Sequence, residues 1–103
     1  MSTTWLMVRA VLADAADIPR FDAWYAAEHL PDAKRAFGAL RARRCWSRTD
    51  ARVHCAFYEF PDAAAAEAAI ASPALRALVA EFDRVWGTSV TRTRELLELA
   101  GEL

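Results

Sequence analysis

Tyr25 and His29 are the residues of this sequence whose types and spacing best suit chemistry on a small molecule. They lie four positions apart in a predicted helix, so both side chains project from the same helical face. The rest of that face is apolar and carries Phe21. Imidazole has an ordinary pKa of about 6.5, which suits proton transfer at neutral pH. We therefore interpret His29 as a candidate general acid or base, and Tyr25 as a group that hydrogen-bonds a substrate oxygen.

The pKa of His29 depends on two opposing effects. We expect the helix to end or kink just before Pro31, because proline disfavours helical geometry at the preceding residue. A histidine near a helix C-terminus is favoured in its protonated form, whereas burial favours the neutral ring. If the two effects balance, the pKa of His29 stays near 6.5. The alternative is a structural His29 that packs at the helix end and donates to a backbone carbonyl.

His54 and Arg9 are weaker candidates for binding a substrate. His54 shares a predicted strand face with Tyr58, where it is either a second polar group of a cleft or an interface residue. Arg9 lies among apolar residues on its strand face and therefore needs a partner. That partner is either Glu59 or Glu95 of the chain, which would make Arg9 structural, or the carboxylate of a substrate.

The chain carries more aromatic side chains than a lone core of this size needs. Four Trp, five Phe and two Tyr occur in 103 residues, and a domain this small buries only about 60–65% of its extended-chain surface. The excess predicts a partner surface, an internal cavity or both. Phe21, Trp24 and Trp86 are helix-borne candidates for the walls of a cavity around His29, although aromatic residues at this spacing also build cores.

The elements that must position these residues follow the order β-α-β-β-α-β. The pattern predicts strands over Thr4–Ala13, Leu40–Arg48, Arg52–Phe60 and Thr88–Leu97, a helix from Ile18 to about His29 with a short turn over Pro31–Ala36, an alanine-rich helix to about Ala71, and a helix that begins at Ser72-Pro73 and ends at Gly87. This order is that of the ferredoxin-like split βαβ unit. We expect an α+β fold with a four-stranded antiparallel sheet and helices on one face, formed by residues 1–103 as a single domain.

The first strand is apolar on both of its faces. Trp5 and Met7 alternate with Leu6 and Val8, a pattern typical of a strand covered on both sides. Because the predicted helices cover one side only, this strand indicates a second layer against the other side.

Part of the chain resembles a known family of proteins. The string F-x-x-W-Y-x-x-x-H-L-P is formed by Phe21, Trp24, Tyr25, His29, Leu30 and Pro31. It is similar to the first helix of EthD-like proteins in the dimeric α/β-barrel superfamily. The segments Ala36-Phe37-Gly38 and Arg43-Arg44 resemble that group's turn into its second strand.

The resemblance implies a homodimer in which two four-stranded sheets pack face to face with their helices outside. It also implies a mostly apolar pocket between the helices and the sheet of each subunit, with His29 pointing into it. Proteins of this superfamily include cofactor-independent quinone-forming monooxygenases, muconolactone isomerases, polyketide cyclases and haem-binding proteins. The motif is therefore more specific for a fold than for a reaction.

Composition and charge argue against several classes of partner. No apolar run approaches the roughly 18 residues of a membrane span, and the N-terminal residues lack the pattern of a secretory signal, so we expect a cytoplasmic protein without a membrane partner. The stretch from Lys34 to Arg52 is basic, but the net charge is −1 and the sequence pI is about 6.1. A nucleic-acid partner is therefore not predicted.

Metal and cofactor motifs are also lacking. Cys45 and Cys55 have no flanking pair of Cys or His ligands, so we predict no metal site and two reduced thiols. There is no glycine-rich nucleotide motif and no nucleophile elbow in the sequence. We expect no cofactor, although His29 or His54 remains a candidate ligand for a haem.

The sequence thus predicts a homodimer that binds a small apolar or aromatic molecule, with His29 and Tyr25 as catalytic candidates and Phe21, Trp24, Trp86, His54 and Arg9 as binding candidates. The reaction would be a cofactor-independent isomerisation, cyclisation, elimination or quinone-forming oxygenation. The rival hypothesis is a non-catalytic homodimeric ligand-binding or assembly module. A cavity of about 300 Å³ or more at His29 would favour the first hypothesis, and a closed pocket the second.

Overall fold

The structure is a computed structural model that describes residues 2–103. Its elements in chain order are β1 (Thr4–Leu12), α1 (Ile18–Trp24), a π-helical turn (Tyr25–His29), α2 (Leu30–Phe37), β2 (Arg41–Trp46), β3 (Val53–Phe60), α3 (Ala63–Ile70), α4 (Pro73–Trp86) and β4 (Val90–Glu98), with single 3-10 turns at Ala15–Asp17 and Gly87–Ser89. The four strands form one antiparallel sheet in the order β2-β3-β1-β4. This is the α+β, ferredoxin-like arrangement that the sequence predicts.

At Pro31 the sequence predicts an end or a kink of the first helix and then a short turn over Pro31–Ala36, and the structure has a continuous helical segment with α2 over that range. Instead of ending there, α1 passes through the π-helical turn into α2, which ends at Phe37. Within the wider turn the Leu30 N–H donates to the Tyr25 carbonyl, five residues back. Proline has no N–H to donate and its ring crowds the carbonyl four residues earlier, so a local change from the α to the π pattern accommodates Pro31 without a break. Gly38 then ends α2 at φ 65°, in the left-handed region.

The sheet has two different faces. The helix face carries the even-numbered residues of each strand, such as Leu6, Ala56 and Tyr58, which are buried against the helices. The open face carries the odd-numbered residues of the same strands, and no helix covers it. On β1 and β3 the open face presents half-buried Trp5 and Phe57, so the two-sided apolar pattern of β1 corresponds to one covered and one open face.

The second helical segment follows the predicted pattern. The Asp62 carboxylate accepts a hydrogen bond from Ala65 N–H at 2.9 Å and caps α3, and the Ser72 hydroxyl accepts from Leu75 N–H at 3.3 Å and caps α4. Phe82 and Trp86 of α4 are buried against the helix face. Among residues 2–103, no helix by itself is both long and apolar enough to cross a bilayer.

Candidate functional site

Phe21 of α1 is the centre of an aromatic cluster on the helix face. Its side chain is fully buried, and its ring centroid lies 5.1–6.4 Å from six other rings. These belong to Trp24, Tyr25, Trp46, His54, Phe82 and Trp86. The cluster joins α1, the π-helical turn, α4 and the β2–β3 pair, so it brings together most of the site residues that the sequence singles out.

The π-helical turn places Tyr25 and His29 side by side at the inner end of this cluster. Their ring centroids are 4.8 Å apart, and the His29 ring stacks on Trp24 at 4.9 Å and 21°. His29 is buried, with 9% of its surface exposed. It makes no hydrogen bond with the residues that the structure describes. His29 does not donate to a backbone carbonyl of the described residues, so the hydrogen bond expected of a structural His29 is missing.

His29 is a neutral imidazole in the folded protein. Burial, and next to it the positive charge of Arg92, lowers its pKa to about 4. The expected balance near 6.5 was wrong because the helix continues to Phe37. His29 is therefore not at a helix C-terminus, and the favourable dipole term that applies within the last turn is absent. At neutral pH His29 is in the neutral form, which can accept a hydrogen bond, and its low pKa makes it a weak base.

Tyr25 and Tyr58 form a buried pair beside His29. Their hydroxyl oxygens are 3.3 Å apart, one on the π-helical turn and the other on β3. Burial raises the pKa of Tyr25 to about 12 and also raises the pKa of Tyr58, so both hydroxyls stay protonated. The pair holds two hydroxyl protons and uses one between its members, and no other residue from 2 to 103 accepts the second. One O–H donor therefore remains for a ligand.

His54 lies deeper in the cluster, on the helix face of β3. It is fully buried, and Arg44 on β2 donates to its Nε2 at 3.4 Å. Burial, with Arg44 adding to it, lowers the pKa of His54 to about 4. The neutral ring then carries its proton on Nδ1, which has no partner among the described residues. Asp22 of α1 holds Arg44 in turn at 2.8 Å and accepts from the Trp46 indole at 2.8 Å.

A small cavity adjoins His29 and Tyr58. Its volume is about 20 Å³, room for about one water, and Arg92 and Arg94 of β4 complete its polar lining. This is far below the 300 Å³ that would favour a ready-made binding pocket. In this conformation the pocket at His29 is almost closed, and His29, Tyr58 and two arginines border a water-sized space.

Arg92 lines both this cavity and a larger cleft. Its guanidinium lies 3.7 Å from the centroid of the Phe82 ring and donates to Asp83 at 3.0 Å. The cleft, of about 470 Å³, opens between α4 and β4, and Val79, Arg92 and Arg94 line both spaces. The cavity at His29 therefore adjoins a larger space through these three residues.

Arg92 and Arg94 are site residues that were not predicted from the sequence. The signal was present, because on β4 the even positions carry Val90, Arg92, Arg94 and Leu96, and two apolar ends mark this as the inward face. Two arginines on an inward strand face need partners or a ligand. Arg92 has Asp83, whereas Arg94 makes no ion pair with any residue from 2 to 103.

Arg9 does not join the site. It is exposed on the open face of β1, on the opposite side of the sheet from His29. The predicted partners do not hold it either, since Glu59 pairs with Arg41 at 3.9 Å and the described residues provide no ion pair for Arg9. The other six candidates, Tyr25, His29, His54, Phe21, Trp24 and Trp86, all lie in the cluster on the helix face.

Residues 2–103 contain no cluster of side chains arranged to hold a metal ion, and the space at His29 is small for a large cofactor. Among residues 2–103, no group of three or more His, Cys, Asp or Glu side chains converges on one point. His29 and His54 are both packed between aromatic rings. The space at His29, about 20 Å³, does not accommodate a porphyrin in this conformation.

No protein-family model matches the sequence, and no curated protein matches it. Solved structures match along almost the whole chain. A variant of SnoaB, a cofactor-independent oxygenase from Streptomyces nogalater, is 18% identical with a TM-score of 0.67 over 99% of this chain and 96% of that one. An EthD family protein from Bacillus halodurans is 14% identical with a TM-score of 0.66 over 92% and 97%.

A third structure, a dimeric ferredoxin-like protein from an uncultured marine organism, is 17% identical with a TM-score of 0.57 over the full length of both chains. Identities this low show the fold alone. The chain has a ferredoxin-like fold. The resemblance to EthD-like proteins is confirmed at the level of that fold.

Proposed function

We propose that this protein binds a small apolar or aromatic molecule with an acidic or enolic oxygen, at the space between the π-helical turn and β4. One observation carries the proposal. A neutral His29 without a hydrogen-bond partner lines the same small cavity as Tyr58, one member of a hydroxyl pair with a spare O–H donor, beside the cationic Arg92. Apolar walls with a few convergent polar groups are typical of small-molecule sites.

The charges around the cavity suit a ligand that becomes an anion. Arg92 contributes to the low pKa of His29, and the same guanidinium would stabilise an enolate or phenolate oxygen formed next to it. In such a reaction a proton moves from the substrate to His29, and the spare Tyr hydroxyl donates to the substrate oxygen. A positioned base with a pKa near the operating pH contributes typically about 10²- to 10⁴-fold, and a base with a pKa of about 4 contributes less. The chemistry would be a cofactor-independent isomerisation, cyclisation, elimination or quinone-forming oxygenation.

Entry of the ligand requires Arg92 to move. The 470 Å³ cleft is large enough for the body of a small aromatic molecule, and Arg92 lines both that cleft and the small cavity at His29. Its contacts with Asp83 and the Phe82 ring are on the rim of the fold, where Asp83 is exposed. A ligand oxyanion can replace the Asp83 carboxylate as the partner of Arg92, which would open the path to His29.

The open face supports a homodimer as part of this function. Half-buried apolar side chains such as Trp5, Met7 and Phe57 lie together on a sheet face without helices. A second copy of the chain that packs its open face against this one would bury them. One structure with this fold is itself described as dimeric.

A second candidate function has its own support. The cavity at His29, about 20 Å³, is too small for any ligand beyond a water unless Arg92 moves. A protein whose helix-face cluster is only a packed core, and whose open face pairs with a second copy, would be a non-catalytic homodimeric assembly module.

Ligand titration by tryptophan fluorescence separates the two functions, because Trp24 stacks on His29. We would compare a hydroxylated polycyclic aromatic compound with its O-methyl ether. The binding hypothesis predicts quenching by the hydroxylated compound, at least tenfold weaker binding of the ether, and a similar loss in Arg92→Gln but not in Arg76→Gln, an exposed arginine of α4. Equal affinity of His29→Gln and the unchanged protein, together with equal turnover, would reject the assigned role of His29.

A further inference from the structure

Cys45 and Cys55 are direct cross-strand neighbours on the open face. The register of the β2–β3 pair sets Cys45 opposite Cys55, so both side chains project from the same side of the sheet. Both thiols are free, Cys45 exposed and Cys55 half-buried. In the sequence they are ten positions apart, and only the strand register brings them together.

The backbone geometry at this pair allows a disulfide. Two positions along, Ser47 N–H donates to the Val53 carbonyl at 2.9 Å. Since the pattern repeats every two residues, Cys45 and Cys55 also form a hydrogen-bonded pair, with Cα atoms about 5.5 Å apart. Disulfides span Cα distances of about 4.4–6.8 Å. Directly opposed Cβ atoms are about 4.5–5.5 Å apart, so closure needs the side chains to approach by less than about 2 Å to reach the usual 3.8 Å.

We propose that Cys45 and Cys55 are a redox-active dithiol that reacts with low-molecular-weight disulfides of the glutathione type. This proposal is independent of the function assigned to His29, and it concerns the chain before a second copy packs on its open face. The exposed Cys45 thiolate attacks one sulfur of the small disulfide, which releases one small thiolate and leaves a mixed disulfide on Cys45. The Cys55 thiolate then attacks the Cys45 sulfur and releases the second small thiolate.

The exchange conserves both atoms and electrons. Two protein thiols are oxidised to one disulfide, and the small disulfide is reduced to two small thiols, which take up the two protons that the protein thiols lose. A small disulfide supplies the only oxidant. Because the Cβ atoms must be drawn together, the product is more easily reduced than an unstrained disulfide, and an excess of small thiol returns the dithiol.

The position of the pair decides what the bond would change. β2 is an edge strand, and Cys45 lies between Arg44 and Trp46, whose side chains reach through to the helix face and hold Asp22 of α1. A covalent link from Cys45 to the inner strand β3 would restrain β2 against fraying. Oxidation would therefore stiffen the strand that anchors the start of the first helical segment.

The test is titration of the dilute full chain with oxidised glutathione, followed by intact mass, free-thiol counting and hydrogen exchange. We expect the mass to fall by two hydrogens, both free thiols to disappear, a peptide linking Cys45 to Cys55, reversal by excess reduced glutathione, and at least tenfold slower amide exchange in β2. Cys45→Ser and Cys55→Ser are the matched controls. Each has one thiol and stops at a glutathione adduct or at no reaction, with unchanged exchange in β2.

Three results would overturn the proposal. The first is a wild-type chain that keeps both thiols after prolonged exposure. The second is a stable glutathione adduct on the wild type, as in the controls, which would show that the second thiol does not resolve the first. The third is a covalent dimer as the main product, because it would mean that each thiol meets a second chain before it meets its cross-strand neighbour.

Discussion

Both faces of the sheet carry aromatic side chains, but the surroundings of these side chains differ. On the helix face, Phe21, Trp86 and Tyr58 are at most 3% exposed and lie among two neutral histidines and a pair of hydroxyls. On the open face, Trp5 and Phe57 are only half-buried and no helix packs on them. The contrast teaches that aromatic content by itself does not locate a site. What distinguishes the helix face is that polar atoms without partners are enclosed among its aromatic rings.

The strongest test of this contrast is to remove one ring from each face. Phe21→Ala leaves a cavity at the centre of six rings, and we expect the free energy of unfolding to fall by about 3–5 kcal/mol. Phe57→Ala removes a half-buried ring and should cost the monomer about 1 kcal/mol. Urea denaturation at low protein concentration measures both. Equal losses would mean that the open face is as much a core as the helix face.

Acid should weaken the helix face selectively. The pKa values of His29 and His54 are about 4 in the folded chain and about 6.5 when unfolded. The unfolded chain therefore binds more protons between these values, so stability is complete above pH 6.5 and falls as the pH approaches 4. The expected loss is roughly 3 kcal/mol for each histidine.

The variant His29→Gln tests this acid prediction, because it removes one of the two histidines that take up a proton on unfolding. Denaturation curves at pH 7.5 and 4.5 should show about half of the wild-type loss in this variant. An unchanged loss would mean that His29 is not held neutral by the fold. His54→Gln gives the same comparison for the deeper histidine.

A charge on the open face should affect association and not folding. We expect Phe57→Glu to weaken self-association at least tenfold, because dimerisation would bury the carboxylate against a second sheet. The control Ala80→Glu puts the same charge on an exposed position of α4 and should leave association unchanged. Sedimentation equilibrium measures both. If the unchanged chain sediments as an 11.5 kDa monomer at micromolar concentration, the homodimer is rejected.

The smallest expected effect belongs to the hydroxyl pair. Tyr25→Phe removes the 3.3 Å contact with Tyr58, which should lower the free energy of unfolding by about 1 kcal/mol. The cost stays small because Tyr58 borders a cavity with room for a water that can replace the lost partner. Thermal unfolding of Tyr25→Phe and Tyr58→Phe checks this value. A loss above about 3 kcal/mol in either variant would show that no water takes that place.

The fold could be predicted from the sequence because its signals are local and repeated. Strand alternation, the helix start at Ser72-Pro73 and the stop at Gly87 gave the element order that the structure has. The passage of the helix through Pro31 could not be predicted. Rules for proline give the cost of a regular α-helix at that point, and they do not reveal that a wider turn can absorb it.

The residue types of the candidate site could be predicted from the sequence, but the pKa of His29 and the size of its cavity could not. The aromatic residues and His29 were recognisable from one helical face, since neighbours at that spacing share a direction. The pKa of His29 and the size of its cavity depend on the position of the Arg92 side chain, which lies over the Phe82 ring and donates to Asp83. Those contacts join β4 to α4, and a tertiary contact of this kind has no signature in either segment alone.

Because of the π-helical turn, the position of His29 depends on the number of residues between Tyr25 and His29. An α-helix would return to the same face after 3.6 residues on average, but the five residues Tyr25–His29 follow the wider pattern. Deleting Ala26 or Ala27 would let the segment return to regular α geometry while the strands and α4 stay as they are. The ring at the end of the turn would then be rotated by about 100° and leave its place beside Tyr58. In a lineage of such chains, one codon gained or lost at this turn could add or abolish the histidine side of the cavity without replacing a single side chain that lines it.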